Sequence, residues 1–488
     1  MSQITIKNLT FAYDGSYDNI FENVSLNIDT DWKLGFTGRN GRGKTTFLKL
    51  LTGGFEYSGS ISSSIKFMYF PFDVPDKSMD TVNVVENICP GFELWRLLKD
   101  LPKLEVSEDV LYRPFETLSN GEQTKVLIAS LFLNDSSFLL IDEPTNHLDV
   151  KGRKLVSDYL NSKKGFILVS HDRVFLDNCI DHILSINKTD IEIQQGNFST
   201  WLLNKEYQDN FEISENDKLK KDIKRLSEAA KRTASWSDKT EKSKKSGDVP
   251  DKGYVGHKAA KMMKRSKSAE ARKLSAVEEK SKLLRNIEES EDLKITPLKH
   301  HSRRLIEAKD LSIFYGDKKV CSDINFTLTE GERIALTGKN GSGKSSILKL
   351  ITGEGISHCG QLETASGLVI SYVPQDTSFL QGDLKSFAED SNIDESLFKA
   401  LLRKMDFSRV QFEKDMCDFS GGQKKKVLIA KSLCEKAHIY IWDEPLNFID
   451  VMSRIQIENL ITQYKPTMLF VEHDLSFVNN IATKCIEF

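Results

Sequence analysis

The sequence predicts an α/β chain built from two tandem copies of one strand–loop–helix domain, joined by an antiparallel α-helical hairpin. Three observations carry this. A glycine-rich loop ending in Lys-Thr or Lys-Ser occurs twice, at 38–45 and 338–345. An apolar strand closing in two carboxylates recurs at the same interval of about 300 residues, as Asp142-Glu143 and Asp443-Glu444. Between the halves lies a long charged insert that cannot build a core of its own.

The insert spans 205–299, which divides the chain into domains 1–204, 205–299 and 300–488. It carries 25 Lys+Arg against 18 Asp+Glu, and its middle, 218–273, has 19 against 7. Leu219, Ile223, Leu226 and Ala230 form one apolar stripe at helical period, and Leu274, Val277, Leu284 and Ile287 form another. The run 244–253 between them holds Gly247, Pro250 and Gly253, which stop a helix and let the chain reverse. An arm of roughly 33 residues would be about 50 Å long. Trp236, Lys242, Lys244, Lys245 and Tyr254 gather toward its tip. They are candidates for RNA contact, the lysines on phosphates and the rings on exposed bases. A clamp closing the hairpin is the alternative role for Trp236. A solvated tether needs neither the stripes nor a charge of about +12 over 218–273.

With the whole chain at −3, the remainder must be near −15, so the basic character is local and points to a polyanion. At 488 residues and 39% hydrophobic content, two or three domains with buried cores are expected. The seven cysteines have neither zinc spacing nor a secretory setting, so reduced thiols in the cytoplasm are expected. The first residues lack the apolar core of a signal peptide, and no apolar run approaches the roughly 18 residues of a membrane span. The last strand is expected to end at Phe488.

In the first half, Ile4 to Leu26 reads as a hairpin-like pair of strands around residues 11–15. A strand at 32–38 then runs into the first glycine loop, with a helix from Phe47 to Leu51. This is a phosphate-binding P-loop. Gly38, Asn40, Gly41 and Gly43 turn backbone N–H groups inward, Lys44 reaches the β- and γ-phosphates, and Thr45, followed by Thr46, is placed for Mg²⁺. Downstream, Asp142 is expected to help hold Mg²⁺ and Glu143 to polarise the attacking water. The second half repeats the set: Gly338, Asn340, Gly341, Gly343, Lys344, Ser345 and Ser346 in the loop, then Asp443 for the metal and Glu444 for the water.

Upstream of the carboxylates stand Leu118-Ser-Asn-Gly-Glu-Gln and Ser420-Gly-Gly-Gln423, and downstream stand Asp149 with His171, and Asp450 with His473. This ordered set resembles the ATP-binding cassette (ABC) domain. The resemblance implies that Ser119 and Gly121, and Ser420, Gly421, Gly422 and Gln423, contact the γ-phosphate bound to the opposite cassette. It makes Asp149 a D-loop residue, His171 and His473 switch histidines, and Tyr13 and Tyr315 the rings on adenine. It also implies a monomer whose cassettes pair head to tail. Two cassettes, a long helical linker and the string Asp-Glu-Pro-Thr-Asn-His-Leu-Asp resemble the ABC-F family of ribosome-acting ATPases. In that family the linker enters the tRNA exit site of the ribosome, here implying the 70S ribosome, 23S rRNA and P-site tRNA as partners. The strings at 111–115, 264–267 and 441–447 resemble the Vga/Lsa-type branch, which protects ribosomes from lincosamides, streptogramin A and pleuromutilins.

The chain departs from the pattern in four places. Phe72 stands where a glutamine is expected, whereas Gln375 is kept and is a candidate metal ligand. Asn120 replaces a signature glycine, its tolerance of positive φ being the expected reason. Leu446 and Phe448 replace the Thr and His of the first half. The site with Lys44, Phe72 and Ser420 is therefore expected to hydrolyse more slowly. A housekeeping ABC-F translation factor, an efflux-pump motor and a DNA-repair or chromosome ATPase are the alternatives. The basic hairpin argues against the efflux motor, and uninterrupted cassettes argue against the last.

Overall fold

The computed structural model describes residues 2–14, 19–134, 136–146, 148–186, 191–243, 293–316 and 318–488, with backbone alone at 226, 227 and 229–243. Two compact units emerge: Met1–Ser199 together with Ser290–Phe488, and Thr200–Glu289.

The first half contains β1 (Gln3–Phe11), β2 (Phe21–Asp29), β3 (Lys33–Thr37), β4 (Ser58–Ser62), β5 (Lys66–Phe70), β6 (Ser137–Asp142), β7 (Phe166–Val169), β8 (His182–Ile186) and β9 (Ile191–Gln195). β2, β1 and β4 form an antiparallel sheet, as the hairpin-like start predicts. Ile4 and Ile6 are buried at even positions but Leu9 and Phe11 at odd ones. The strand keeps one face on the core because its register shifts between Ile6 and Leu9, where Asn8 takes φ 50°. The second half repeats the device at Asp310, φ 48°.

The larger sheet has the order β5-β6-β7-β3-β8-β9, parallel except for β8 with β9. Phe138 to Ile141 and Phe166 to Val169 are buried throughout, as strands covered on both faces must be. The second half runs β10 (Arg304–Tyr315), β11 (Lys318–Thr329), β12 (Arg333–Thr337), β13 (His358–Thr364), β14 (Ile370–Val373), β15 (Ile439–Asp443), β16 (Met468–Val471) and β17 (Lys484–Glu487). Its parallel sheet has the order β14-β15-β16-β12-β17. In both halves the carboxyl ends of three adjacent strands carry the glycine loop, the carboxylate pair and the histidine. Parallel sheets bind ligands at those ends.

The described residues of the other unit belong to the helix Phe198–Ser243, which runs 46 residues, about 69 Å at 1.5 Å per residue. It starts earlier than the arm read from the sequence, because Trp201 and Leu202 extend the apolar stripe backwards. Leu219 and Ile223 of the expected stripe are half-buried, while Leu203, Tyr207 and Phe211 lie exposed on another face. Trp236 and Lys242 fall within this helix, where only backbone is described. Lys244, Lys245, Tyr254 and the second arm lie outside the described residues. Among the described residues no helix is long and apolar enough to cross a membrane.

Candidate active site

Each glycine loop ends directly in a helix, Lys44–Leu51 or Lys344–Ile351, three residues earlier than the sequence led us to expect in the first half. Gly43 at φ 92° and Gly343 at φ 95° precede these helices, in the left-handed region that a side chain would strain. Lys44 Nζ donates to the carbonyls of Gly38 (2.6 Å) and Arg39 (3.2 Å), and Lys344 Nζ to those of Gly338 (3.0 Å) and Lys339 (2.7 Å). Burial lowers the pKa of both ammonium groups, against the pull of nearby carboxylates. Thr45 Oγ1 donates to Asp142 Oδ2 at 2.8 Å and Ser345 Oγ to Asp443 Oδ1 at 3.1 Å. Tyr13 and Tyr315 stand half-exposed, their hydroxyls bonded to Thr46 (2.7 Å) and Ser346 (3.1 Å).

The loop of each half faces the signature segment of the other. A cleft of about 820 Å³ is lined by Ser119, Asn120, Gly121 and Asp149 on one side and by Asn340, Gly341, Lys344, Ser345, Ser346, Gln375, Glu444 and His473 on the other. Across the second junction, Asn40 Nδ2 donates to the Phe448 carbonyl at 2.7 Å. Only glycine fits at position 422 here, since a Cβ would stand 2.4 Å from that carbonyl and 2.9 Å from Asn40 Nδ2. Arg39 and Arg42 approach Asp406 at 3.6 and 3.8 Å, and Arg173 pairs with Glu458. Asp149 and Asp450 each cap a helix and place a negative charge near the lysine of the opposite loop. Ser119 and Ser420 cap the signature helices Asn120–Leu131 and Gly421–Cys434 through capping boxes with Glu122 and Gln423.

Glu143 and Glu444 occupy equivalent places but unlike surroundings. Glu143 and Glu444 both sit in the left-handed region, φ 51° and 47°. His171 Nε2 is 3.2 Å from Glu143 Oε1, off the hydrogen-bond direction, and burial beside Asp142 pushes the Glu143 carboxyl up to about 8. Glu444 Oε2 instead accepts from Gln375 Nε2 (2.9 Å) and Asn447 Nδ2 (2.5 Å), with His473 Nε2 3.5 Å from Oε1. Burial raises its pKa too, but His473, Asn447 and Gln375 outweigh it and hold Glu444 below the usual carboxylate range. Burial likewise raises Asp142, and raises Asp443 to about 6.

The departures from the repeat have physical reasons. Asn120 is the first residue of its helix and has no positive φ, so its conformational tolerance is not what allows it there. What constrains the equivalent Gly421 is space, because a Cβ would lie 3.3 Å from the Phe448 ring. Phe448 is itself held at φ 65°, where its carbonyl meets Asn40. Where the first half pairs Thr145 Oγ1 with Ser170 Oγ (3.4 Å), the second has Leu446 and Glu472. The longer Glu472 carboxylate reaches the Leu446 N–H (2.7 Å) and the His473 N–H (3.0 Å), replacing the lost hydroxyl. Phe72 packs edge-on to Phe70 and lines a cavity of about 520 Å³ beside Asp142 and Glu143.

Residues 21–146 and 321–447, more than half of the chain, match the family model described as ABC transporter. The chain belongs to the ATP-binding cassette family. Among its relatives are the ribosome protection protein VmlR of Bacillus subtilis (28% identical, covering 97% of this chain and 84% of that one) and the energy-dependent translational throttle protein EttA of Escherichia coli (24%, 96% and 89%). Another is the ATP-binding protein Uup of Buchnera aphidicola (27%, 99% and 80%). The archaeal ribosome recycling factor aABCE1 shares the fold, with a TM-score of 0.63 at 20% identity over 96% of this chain and 84% of that one. Within the cassette family the chain is an ABC-F ATPase.

Four residues of this ABC-F ATPase stand at the site without having been picked out from the sequence. Asn447 bonds Glu444, and its repeat as Asn146 was a visible signal. Arg153, four residues after Asp149 as Arg454 is after Asp450, reaches the His473 carbonyl of the opposite cassette at 3.3 Å. Glu472 announced itself only as a mismatch with Ser170. Lys425 carried no signal, since its counterpart is Thr124.

Proposed function

We propose that the chain is a cytoplasmic, ribosome-associated ATPase that protects the ribosome from antibiotics of the peptidyl-transferase centre, with the domain boundaries 1–204, 205–299 and 300–488. The observation that carries this is the similarity to a ribosome protection protein over 97% of the chain, linker included. In this reading the basic linker enters the tRNA exit site of the 70S ribosome and meets 23S rRNA and P-site tRNA. Trp236, Lys242, Lys244, Lys245 and Tyr254 are its contact candidates. A housekeeping translation role is the second reading, favoured by the likeness to EttA over 96% of the chain.

ATP is the substrate at two composite sites. At one, Gly38, Asn40, Gly41, Gly43, Lys44, Thr45 and Thr46 cradle the phosphates, Tyr13 takes the adenine, and Ser420, Gly421, Gly422 and Gln423 close from the other cassette. At the other, Gly338, Asn340, Gly341, Gly343, Lys344, Ser345 and Ser346 act with Tyr315, Ser119 and Gly121. Glu143 and Glu444 accept a proton from the attacking water, and His171 and His473 steady its position. Thr45 with Asp142, and Ser345 with Asp443 and Gln375, offer the hard oxygens that Mg²⁺ prefers. The fit is good at Asp443, whose buried Oδ2 has no partner among the described residues. When bound, Mg²⁺ neutralises phosphate charge. Closure of the cassettes on ATP then accompanies ribosome binding, and hydrolysis releases it.

The test removes Lys242 to Gly253 and measures ATPase rate, ribosome binding at two salt concentrations, and inhibitory concentrations of a lincosamide and a pleuromutilin. Basal ATPase is expected to persist while protection vanishes. Neutralising the tip lysines should flatten the salt dependence of ribosome binding, as fewer counterions are released. Full resistance from the shortened protein would overturn the protection mechanism. A wild-type protein that binds ribosomes but confers no resistance in a susceptible host would favour the housekeeping reading.

A further inference from the structure

Lys425 lies in the second turn of the signature helix Gly421–Cys434, 2% exposed, and no step of the proposed hydrolysis uses it. A buried ammonium is costly unless its donors are engaged, so its partners matter. Nζ donates to the Pro374 carbonyl at 2.9 Å and lies 3.3 Å from the Asp443 carbonyl. Pro374 immediately precedes Gln375, and Asp443 immediately precedes Glu444. One cation therefore joins the two backbone carbonyls next to the pair Gln375 Nε2 and Glu444 Oε2, which meet at 2.9 Å. It also faces the carboxylates of Glu472, Asp443 and Glu444, which counter part of the cost of its burial.

The first cassette shows what the same place looks like without this arrangement. Thr124 stands there, and its hydroxyl turns back to the Asn120 carbonyl of its own helix at 2.8 Å. The residue after Pro71 is Phe72. The tether and the glutamine occur together in one half and are both missing from the other.

We propose that Lys425 is a positioning residue for hydrolysis at the Glu444 site, holding the Gln375 loop against the end of β15 so that Gln375 orients Glu444. This rests on the reading of Glu444 as the group that activates water.

The test uses the full chain in a Glu143→Gln background, so that turnover reports the Glu444 site. Lys425→Met is expected to lower kcat for ATP hydrolysis about ten-fold or more, as small misplacements in an active site do, with KM within about two-fold. Hydrogen exchange of residues 373–376 should quicken while that of 439–442 stays unchanged. Gln375→Ala should give a similar loss, and the double variant should be no slower than the worse single one, since Lys425 acts through Gln375. Lys425→Thr, which copies the first cassette, is the second variant should the Met one fail to fold. An unchanged kcat in a folded variant, or losses that multiply in the double variant, would overturn the proposal. Adding Glu444→Gln separates the two ideas. If it leaves hydrolysis intact, the reading of Glu444 falls. If it abolishes hydrolysis while Lys425→Met does not lower it, only the role of Lys425 falls.

Discussion

The two cassettes share a fold, a strand order around the site and nearly every residue of the glycine loops, yet they hold Glu143 and Glu444 in opposite ways. Glu444 is bonded by Gln375 and Asn447 and kept below the usual carboxylate range. Glu143, with Phe72 where the glutamine would be, is pushed up to about 8 by burial beside Asp142. What differs is the number of donors aimed at the carboxylate, not the backbone, since both residues adopt nearly the same positive φ. A duplicated site can thus keep its architecture and still diverge in chemistry through a few neighbours. The junctions differ as well: the first loop is tied to the opposite cassette by Asn40, Arg39 and Arg42, while the second borders an open cleft.

The largest expected effect comes from removing both glutamates. Glu143→Gln with Glu444→Gln should still bind ATP but hydrolyse it about 100-fold more slowly or worse, because fold and phosphate contacts stay while the proton acceptor is lost. Phosphate release and nucleotide retention measure this, and wild-type turnover would remove both assignments. The single variants sharpen the contrast. Glu444→Gln should cost most of the turnover and Glu143→Gln little, whereas equal losses would erase the claimed asymmetry.

A further contrast lies away from the nucleotide. Asp100 in the first cassette is buried and bonded by Lys103, Lys163 and Tyr159 at 2.7 Å each, while the equivalent Leu401 is simply packed, with Leu460 at the place of Tyr159. Burial opposes ionisation of Asp100, but these donors win and lower its pKa from 3.8 to about 2. A lowered carboxylate stabilises the fold fully above its ordinary pKa and loses that contribution as pH falls through the folded value. Asp100→Asn should therefore cost about 2 kcal/mol at neutral pH, with the gap closing toward pH 2 in denaturant titrations. A pH-independent difference would mean the charge is not what matters.

The smallest effect tests the exchange of Thr145 and Ser170 for Leu446 and Glu472. Glu472→Ser should destabilise the second cassette by about 1 kcal/mol or more, since two buried N–H groups lose their acceptor. Adding Leu446→Thr should recover part of it. No recovery would show that the two positions are not coupled.

Much of this was written in the sequence. The repeat, the paired P-loops, the carboxylate-terminated strands and the histidines follow local patterns whose physics is short-range: glycines where φ is positive, a lysine after them, an apolar run that must be buried on both faces. The register shift at Asn8 was not legible, because alternation was visible on each side but its change of parity shows only when the partner strand is in place. The roles of Asn120 and Phe448 are not legible in the sequence for a related reason. Position 421 is restricted by a ring arriving from 27 residues away, and φ preferences say nothing about that. Covalent order and residue chemistry suffice to establish two cassettes and a basic insert. Which carboxylate is well supplied with donors, and that Lys425, Glu472 and Arg153 reach the site, emerges from the packed fold, because those contacts join segments whose meeting depends on how strands and helices pack.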